Sequence, residues 1–275
     1  MKKKLFIASV LILFTAVCMP LHSSDDQRYP PDIQRIKDRG KLVVAMFGQD
    51  IPPFFMHDEQ GNFHGLDVKL ARDIASRLGV DVEFNREAES FDEIINIVAR
   101  KEADMGISWL SQTLERAEKV RFTEPYIVLR QGLLINRLQL AKLPQKDSVL
   151  QTLNHAQAQI GVRSGTSYVD YAQNVFPQAQ IQEYPDWAPY IVDAVFNGEL
   201  VAGYHDEIEI KKYVVQRPEA SIQASTAIIQ DLTDPIAMAV PWDSPALLNW
   251  LNIYIQNHAG DWDADKLLQE YKDSL

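Results

Sequence analysis

Cysteine is all but missing from this chain. Cys18 is the only one in 275 residues, so no internal disulfide can form, and stability in an oxidising compartment must come from the core. The six histidines are scattered without metal-ligand spacing, which leaves no basis for a zinc-type centre. No glycine-rich loop is placed to cradle a phosphate, and no serine stands in nucleophile-elbow order with a histidine and an acid. Positive charge is also short, with 27 Lys and Arg against 38 Asp and Glu and a formal net charge of −11. So acidic a surface does not suit nucleic-acid phosphates. No cofactor is expected, and nothing in the composition points to disorder.

A membrane-spanning run is missing too. The one long apolar stretch, residues 5–19, follows Lys2, Lys3 and Lys4 and is about 15 residues, where a span needs roughly 20. With His22, Ser23 and Ser24 after it, residues 1–23 read as a secretory signal peptide and the product as periplasmic. Thr15-Ala16-Val17 is a poor match to the pattern that precedes a lipidated cysteine, so cleavage near Ser23 or Ser24 is expected over anchoring at Cys18. Cleavage would leave the chain more acidic still.

What is present is 46% hydrophobic residues, enough for two modest domains. Residues 24–40 are polar, with Pro30-Pro31 and then Ile33 and Ile36 at helical spacing, and read as a leader. From Lys41 the apolar period alternates between strand and helix. KLVVAMF suits a buried strand, Leu70, Ala71, Ile74, Ala75 and Leu78 mark a helix stopped at Gly79, and Ser90 opens another helix with a capping box. The rhythm recurs after Tyr126 without close sequence repetition. Strand, helix, strand order argues an α/β architecture with mainly parallel sheets, whose ligands lie beyond the strands' carboxyl ends.

The stretch 103–126, ADMGISWLSQTLERAEKVRFTEPY, reads as a strand, a polar turn with Ser108 and Ser111, and a helix capped by Thr113. Arg116 falls in that helix's first turn, where the dipole disfavours a cation and something negative should compensate. Two roles fit Arg116: pairing with Glu115, Glu118 or Glu124, or holding a ligand carboxylate bidentately beside the turn's amides and hydroxyls.

The run 108–116 (SWLSQTLER), followed by Phe122-Thr123-Glu124-Pro125-Tyr126, resembles the signature of the family 3 periplasmic solute-binding proteins, the amino-acid receptors of bacterial ABC importers. The resemblance extends from about Lys41 to Tyr271. It implies a type II periplasmic-binding-protein fold: two α/β lobes joined by a two-crossing hinge, with the ligand cleft between them. On that pattern residues 41–129 and 233–275 form the first lobe and residues 130–232 the second, with crossings near 128–131 and 229–233. It further implies that Arg116 holds the ligand's α-carboxylate with help from Ser108 and Ser111. Thr166 and Ser167 reach the same carboxylate from the second lobe, unless they only cap a helix, and Asp206 takes the α-amino group, unless it only caps the next one. Phe91 should line the side-chain pocket. The chain departs from the receptors for basic amino acids at Gly48, where they carry an acid, and at Ile51, where an aromatic is common. Trp109 is a third departure, and its bulk would shrink the pocket unless it turns to the core. A small, apolar or aromatic ligand side chain is therefore expected.

The implied partners are a small ligand and a membrane permease, with the protein itself a monomer. Two alternatives stay open. Some secreted dehydratases resemble this family and convert cyclohexadienyl acids to aromatic ones, a role for which Asp206 or Glu207 would be the proton donor. A ligand-sensing adaptor is the other.

Overall fold

The structure is a computed structural model, and it describes residues 28–216 and 223–274. The expected signal peptide, residues 1–23 with Cys18, lies outside the described residues. Helix α1 (Pro31–Arg39), strand β1 (Lys41–Phe47), the hairpin β2 (Met56–His57) and β3 (Phe63–His64), α2 (Leu66–Leu78), β4 (Asp81–Ala88), α3 (Phe91–Ala99) and β5 (Met105–Gly106) come first. A single turn α4 (Leu114–Ala117) and β6 (Arg121–Phe122) lead into the long strand β7 (Ile127–Asn136). Then follow α5 (Arg137–Lys142), α6 (Val149–Leu153), β8 (Gln159–Arg163), α7 (Tyr168–Val175), β9 (Gln180–Tyr184), α8 (Val192–Asn197), β10 (Ala202–Asp206), α9 (Glu207–Gln216) and β11 (Ala224–Ile236). β12 (Ala239–Val240), α10 (Pro245–His258) and α11 (Ala264–Glu270) complete the order.

Two five-stranded sheets result. The first has the order β4-β1-β5-β12-β6 and the second β11-β7-β10-β8-β9. Leu42 to Phe47 are all buried, as expected of a central strand covered on both faces. β1 pairs in parallel with β4 on one side and β5 on the other, so the winding reverses at β1, and a crevice opens beyond the carboxyl ends of β1 and β5. β8 plays the same part in the second sheet, parallel to both β9 and β10. In each sheet antiparallel strands complete the set. On β7, Leu133 and Ile135 pack into one hydrophobic cluster and Leu134 into another, because alternate side chains of a strand take opposite faces. The second sheet is thus covered on both sides.

β7 and β11 form an antiparallel ribbon from Asn136 opposite Ala224 to Ile127 opposite Ile236, with a register shift between Ile229 and Thr233. β7 enters the second sheet from the first, and β11 returns the chain to β12 in the first.

The segment expected to be a leader is instead a packed helix. Ile33 and Ile36 of α1 are buried, and one oxygen of the buried Asp32 accepts the N–H groups of Ala246 (2.9 Å) and Leu247 (3.0 Å) at the start of α10. Ser244, which precedes that helix, makes no side-chain cap, so Asp32 supplies the cap from 214 positions away. Asp32→Ala should therefore cost about 0.5–2 kcal/mol, lowering the melting temperature by roughly 2–4 °C per kcal/mol at this size. Thermal unfolding followed by circular dichroism checks this, and an unchanged midpoint would contradict the assigned cap.

Candidate functional site

The loop after β5 is fixed before it offers anything to a ligand. Asp67, fully buried in the first turn of α2, accepts the Trp109 N–H at 2.8 Å through one oxygen and the Tyr126 hydroxyl at 2.7 Å through the other. This holds Trp109 at φ 50°, a left-handed conformation that a bulky residue adopts only when its surroundings impose it. The Ser108 hydroxyl accepts the N–H of Phe47 at 3.0 Å and ties the loop to the end of β1. The loop is also bonded to the end of β11: Gln112 N–H donates to Pro235 O (3.0 Å), and Ala237 N–H donates to Leu110 O (3.0 Å).

Thr113 caps α4 by accepting the Arg116 N–H at 3.2 Å. The Arg116 side chain is buried, at 6% exposure. Its Nε donates to Asp92 at 3.0 Å and one terminal nitrogen donates to the Ser111 carbonyl at 3.2 Å. Asp92, from the first turn of α3, is thus the compensating acid, in place of Glu115, Glu118 or Glu124.

From the second lobe come the turn after β8 and the end of β10. The Ser167 hydroxyl does not cap α7; it donates across the cleft to the Ser111 hydroxyl at 2.9 Å. The Thr166 hydroxyl donates back to Arg163 O at 2.7 Å. Asp206 uses one oxygen to accept the N–H groups of Ile208 (2.8 Å) and Glu209 (3.0 Å), while its other oxygen is buried 3.4 Å from His205 Nδ1 without a hydrogen bond among the described residues.

A fourth acid sits where the ribbon meets the cleft. Asp234 is fully buried and accepts hydroxyls from Ser111 (2.9 Å), Tyr168 (3.2 Å) and Tyr171 (3.2 Å), so both lobes bond to it. Burial pushes its carboxyl up to about 7; the Ser111, Tyr168 and Tyr171 hydroxyls oppose this, and the neighbouring Asp206 adds to it. Asp67 is likewise pushed up to about 7 by burial, against the bonds from Tyr126 and Trp109.

Four rings stack across the seam. Phe54 lies on Trp109 (centroids 5.3 Å, planes 17° apart), Trp109 on His205 (5.4 Å, 14°) and His205 on Tyr168 (4.8 Å, 22°). A cavity of about 20 Å³, room for little more than one water, is walled by Phe91, Trp109, Ser111, Arg116, Thr166, Ser167, Tyr168 and His205. Beyond the ring pair a larger cavity of about 250 Å³ is bordered by Ile51, Arg163, Asp186 and Lys212, among others.

Six of the nine residues singled out in the sequence therefore share one cavity: Phe91, Trp109, Ser111, Arg116, Thr166 and Ser167. The other three stand elsewhere. Ser108 is fully buried and holds β1, Ile51 borders the larger cavity, and Asp206 lies out of the wall, with His205 in its place. His205, one of the scattered histidines, is a buried cavity wall. Asp67, Asp92, Tyr168 and Asp234 carried no expectation. An aspartate inside the otherwise apolar first turn of α2, and Asp-Pro directly before the apolar run 236–240, were the available signals.

Two α/β lobes on a double-stranded hinge, with buried donors facing each other across a cleft, define a binding protein of the type II periplasmic class. The chain matches the bacterial extracellular solute-binding proteins, family 3, over residues 42–274 and belongs to that family. It is 29% identical to the arginine-binding periplasmic protein of Mannheimia haemolytica over 171 residues, 60% of this chain and 65% of that one, a little under two thirds of the relative's length. An amino-acid ABC transporter substrate-binding protein of Streptococcus pneumoniae, bound to L-arginine, superposes with a TM-score of 0.68 at 26% identity, covering 88% of this chain and 98% of its own. An ancestral amino-acid-binding protein, described as a precursor of cyclohexadienyl dehydratase, also gives 0.68 at 26% identity, covering 87% and 98%. Among the described residues no helix is long and apolar enough to cross a membrane, and no cluster of His, Cys, Asp or Glu is gathered as a metal would need.

The two raised acids set a pH dependence. Between the ordinary value of 3.8 and about 7, the folded chain keeps protons that the unfolded chain has released. The stability contributed by these groups therefore falls as pH rises through that window and levels off above it. Asp234→Asn should remove one such slope, so that wild type loses stability relative to the variant by up to about 1.4 kcal/mol per pH unit from pH 5 to 7. Urea denaturation at several pH values measures this, and parallel curves for the two proteins would refute it.

Proposed function

We propose that this protein is an extracytoplasmic receptor that captures an amino acid, or a similar small carboxylate, by closing its lobes and then delivers it to an ABC importer. The observation that carries the reading is Arg116: a buried guanidinium, oriented by Asp92 and the Ser111 carbonyl, beside a cavity whose walls come from both lobes. A planar, permanently charged fork held in that way matches a carboxylate. Ser111, Thr166 and Ser167 add polar groups from the two sides, so a ligand on Arg116 touches both lobes only when they are together. Differential contact of that kind shifts the population toward closure. Two of the similar proteins are described by their relation to arginine, which supports an amino acid as the ligand class. Export through residues 1–23, action in the periplasm as a monomer and docking to a permease complete the reading.

A dehydratase role is the second reading. Asp206 is committed to the start of α9, and Glu207 accepts the Arg130 N–H and the Lys211 ammonium. Burial pushes the Asp234 carboxyl up to about 7, but Asp234 is out of the cavity walls and meets the cleft only through the Ser111 hydroxyl at 2.9 Å. Turnover of prephenate or arogenate by the purified protein would move it to the enzymes, and binding of amino acids without turnover keeps it a receptor.

Arg116→Ala should weaken carboxylate binding at least a hundredfold. Hydrogen bonds to a charged group contribute roughly 1.5–3 kcal/mol each, and the ligand's charge would be left unpaired in a closed cleft. Isothermal titration calorimetry, with circular dichroism to confirm folding, tests this; binding at wild-type affinity would remove Arg116 from the site.

A further inference from the structure

Asp234 belongs to the hinge and is bonded to both lobes. Ser111 reaches it from the first lobe at 2.9 Å, and Tyr168 and Tyr171 of α7 reach it from the second at 3.2 Å each. It lies just past the break in the β7–β11 register, where Gln230, Asp231 and Leu232 have no partner on β7. Extra residues of this kind interrupt a ladder and let the strand bend, so the carboxyl sits beside the point about which the lobes can turn. We propose that Asp234 is a proton-controlled latch of the hinge, neutral when the lobes are closed and ionised when they part, so that a falling pH favours closure and a rising pH favours opening.

Nothing that faces Asp234 brings a positive charge to hold it ionised. Its three bonds all come from hydroxyls, and Arg116, the buried cation of this cleft, is engaged by Asp92 and the Ser111 carbonyl. From β10 a second fully buried acid, Asp206, stands near enough to repel a negative charge. His205 beside it is no counter-ion, since its Nδ1 accepts the Asp206 N–H at 2.8 Å, which makes that ring neutral. Tyr204, also on β10, gives its hydroxyl to Gln131 of β7, and the Gln131 amide donates to Thr233 O at 3.2 Å. The neighbouring strands therefore supply dipoles only. Burial first and Asp206 second raise the Asp234 carboxyl to about 7, against the three hydroxyls.

Closure is what buries this acid so completely. Ser111 and the two tyrosines stand on opposite lobes, so when the lobes part Asp234 keeps one set of partners and water replaces the other. An ionised carboxylate gains by that exchange, because it leaves a dry site beside another acid. A neutral carboxyl gains nothing of the kind. The closed form thus has the higher proton affinity. Its advantage over the open form is complete at low pH, shrinks as pH rises from the ordinary 3.8 toward about 7, and shrinks no further above that. Asp67 is raised to the same range, yet its partners Trp109 and Tyr126 both belong to the first lobe. Opening leaves those bonds in place, so Asp67 takes no part in this equilibrium. For ligand the consequence rests on the receptor reading above: capture is favoured in mild acid and release toward higher pH.

The primary test needs no ligand. Small-angle X-ray scattering of the purified protein at about pH 5 and about pH 8 compares the closed form with the open one on either side of the titration. Wild type should be the more compact at the lower pH, with a closed-to-open ratio roughly tenfold higher there. Asp234→Asn, which cannot ionise, should stay compact at both values, while Asp67→Asn should still expand. Circular dichroism confirms that each variant is folded, and Asp234→Ser takes the place of an asparagine variant that is not. A wild type of unchanged size overturns the inference, as does expansion of the uncharged Asp234 variant or loss of the response in Asp67→Asn. Calorimetry with arginine as the probe separates the latch from the receptor. Tighter binding at the lower pH in wild type, but not in Asp234→Asn, supports both; failure of arginine to bind counts against the receptor reading alone, and the scattering result stands.

Discussion

Everything at the cleft depends on the pairing of β7 with β11. These are the two strands by which the main chain passes out of the first sheet and back into it, and they are bonded to each other over most of their length, with one break in register between Ile229 and Thr233. A ribbon of two strands is narrow enough to bend and short enough to keep both ends in place. Just past the break stands Asp234, which receives a hydroxyl from the first lobe and two from the second. Whatever angle the lobes adopt is therefore registered at a buried carboxyl, where the low local polarity makes each hydrogen bond strong and each lost one expensive.

That arrangement joins two kinds of contact with opposite demands. The polar cluster around Asp234, Ser111 and Ser167 needs particular distances and loses value steeply when they change. The ring stack from Phe54 to Tyr168 is held by area and dispersion, which fall off more gently and tolerate a change of partner. Polar groups lie on the Arg116 side and rings on the other, so in the receptor reading proposed above the ligand's constant end meets the exacting contacts and its variable end the tolerant ones.

Much of this was legible in the sequence because it is local. Thr113 and Ser90 cap the helices their spacing announced, Gly79 ends α2 in the left-handed conformation, and the motif around Arg116 led to a cavity shared by six of the nine chosen residues. What could not be read is long-range. Nothing near Arg116 identifies Asp92 as its partner, nothing near Asp32 shows that it caps a helix 214 positions on, and the apolar turn around Asp67 signals a buried acid without naming Trp109 and Tyr126 as its partners. Ser108 shows the same limit: its hydroxyl lies in the chosen loop, but it accepts the amide of Phe47, 61 positions earlier. His205 and Asp206 are neighbours on one strand, and the choice of which faces the cavity belongs to the strand's twist and register, which composition does not encode.

The order of strands in the first sheet has a consequence for how the protein comes into being. β12 lies between β5 and β6, yet it is made only after all five strands of the second sheet have left the ribosome. The second sheet is continuous in sequence and can close as soon as it is made. The first must wait with an inner edge of β5 unpaired, an exposed apolar edge of the kind that recruits wrong partners. A lobe whose sheet lacks an inner strand until the last quarter of the chain arrives is left incomplete for most of the chain's synthesis.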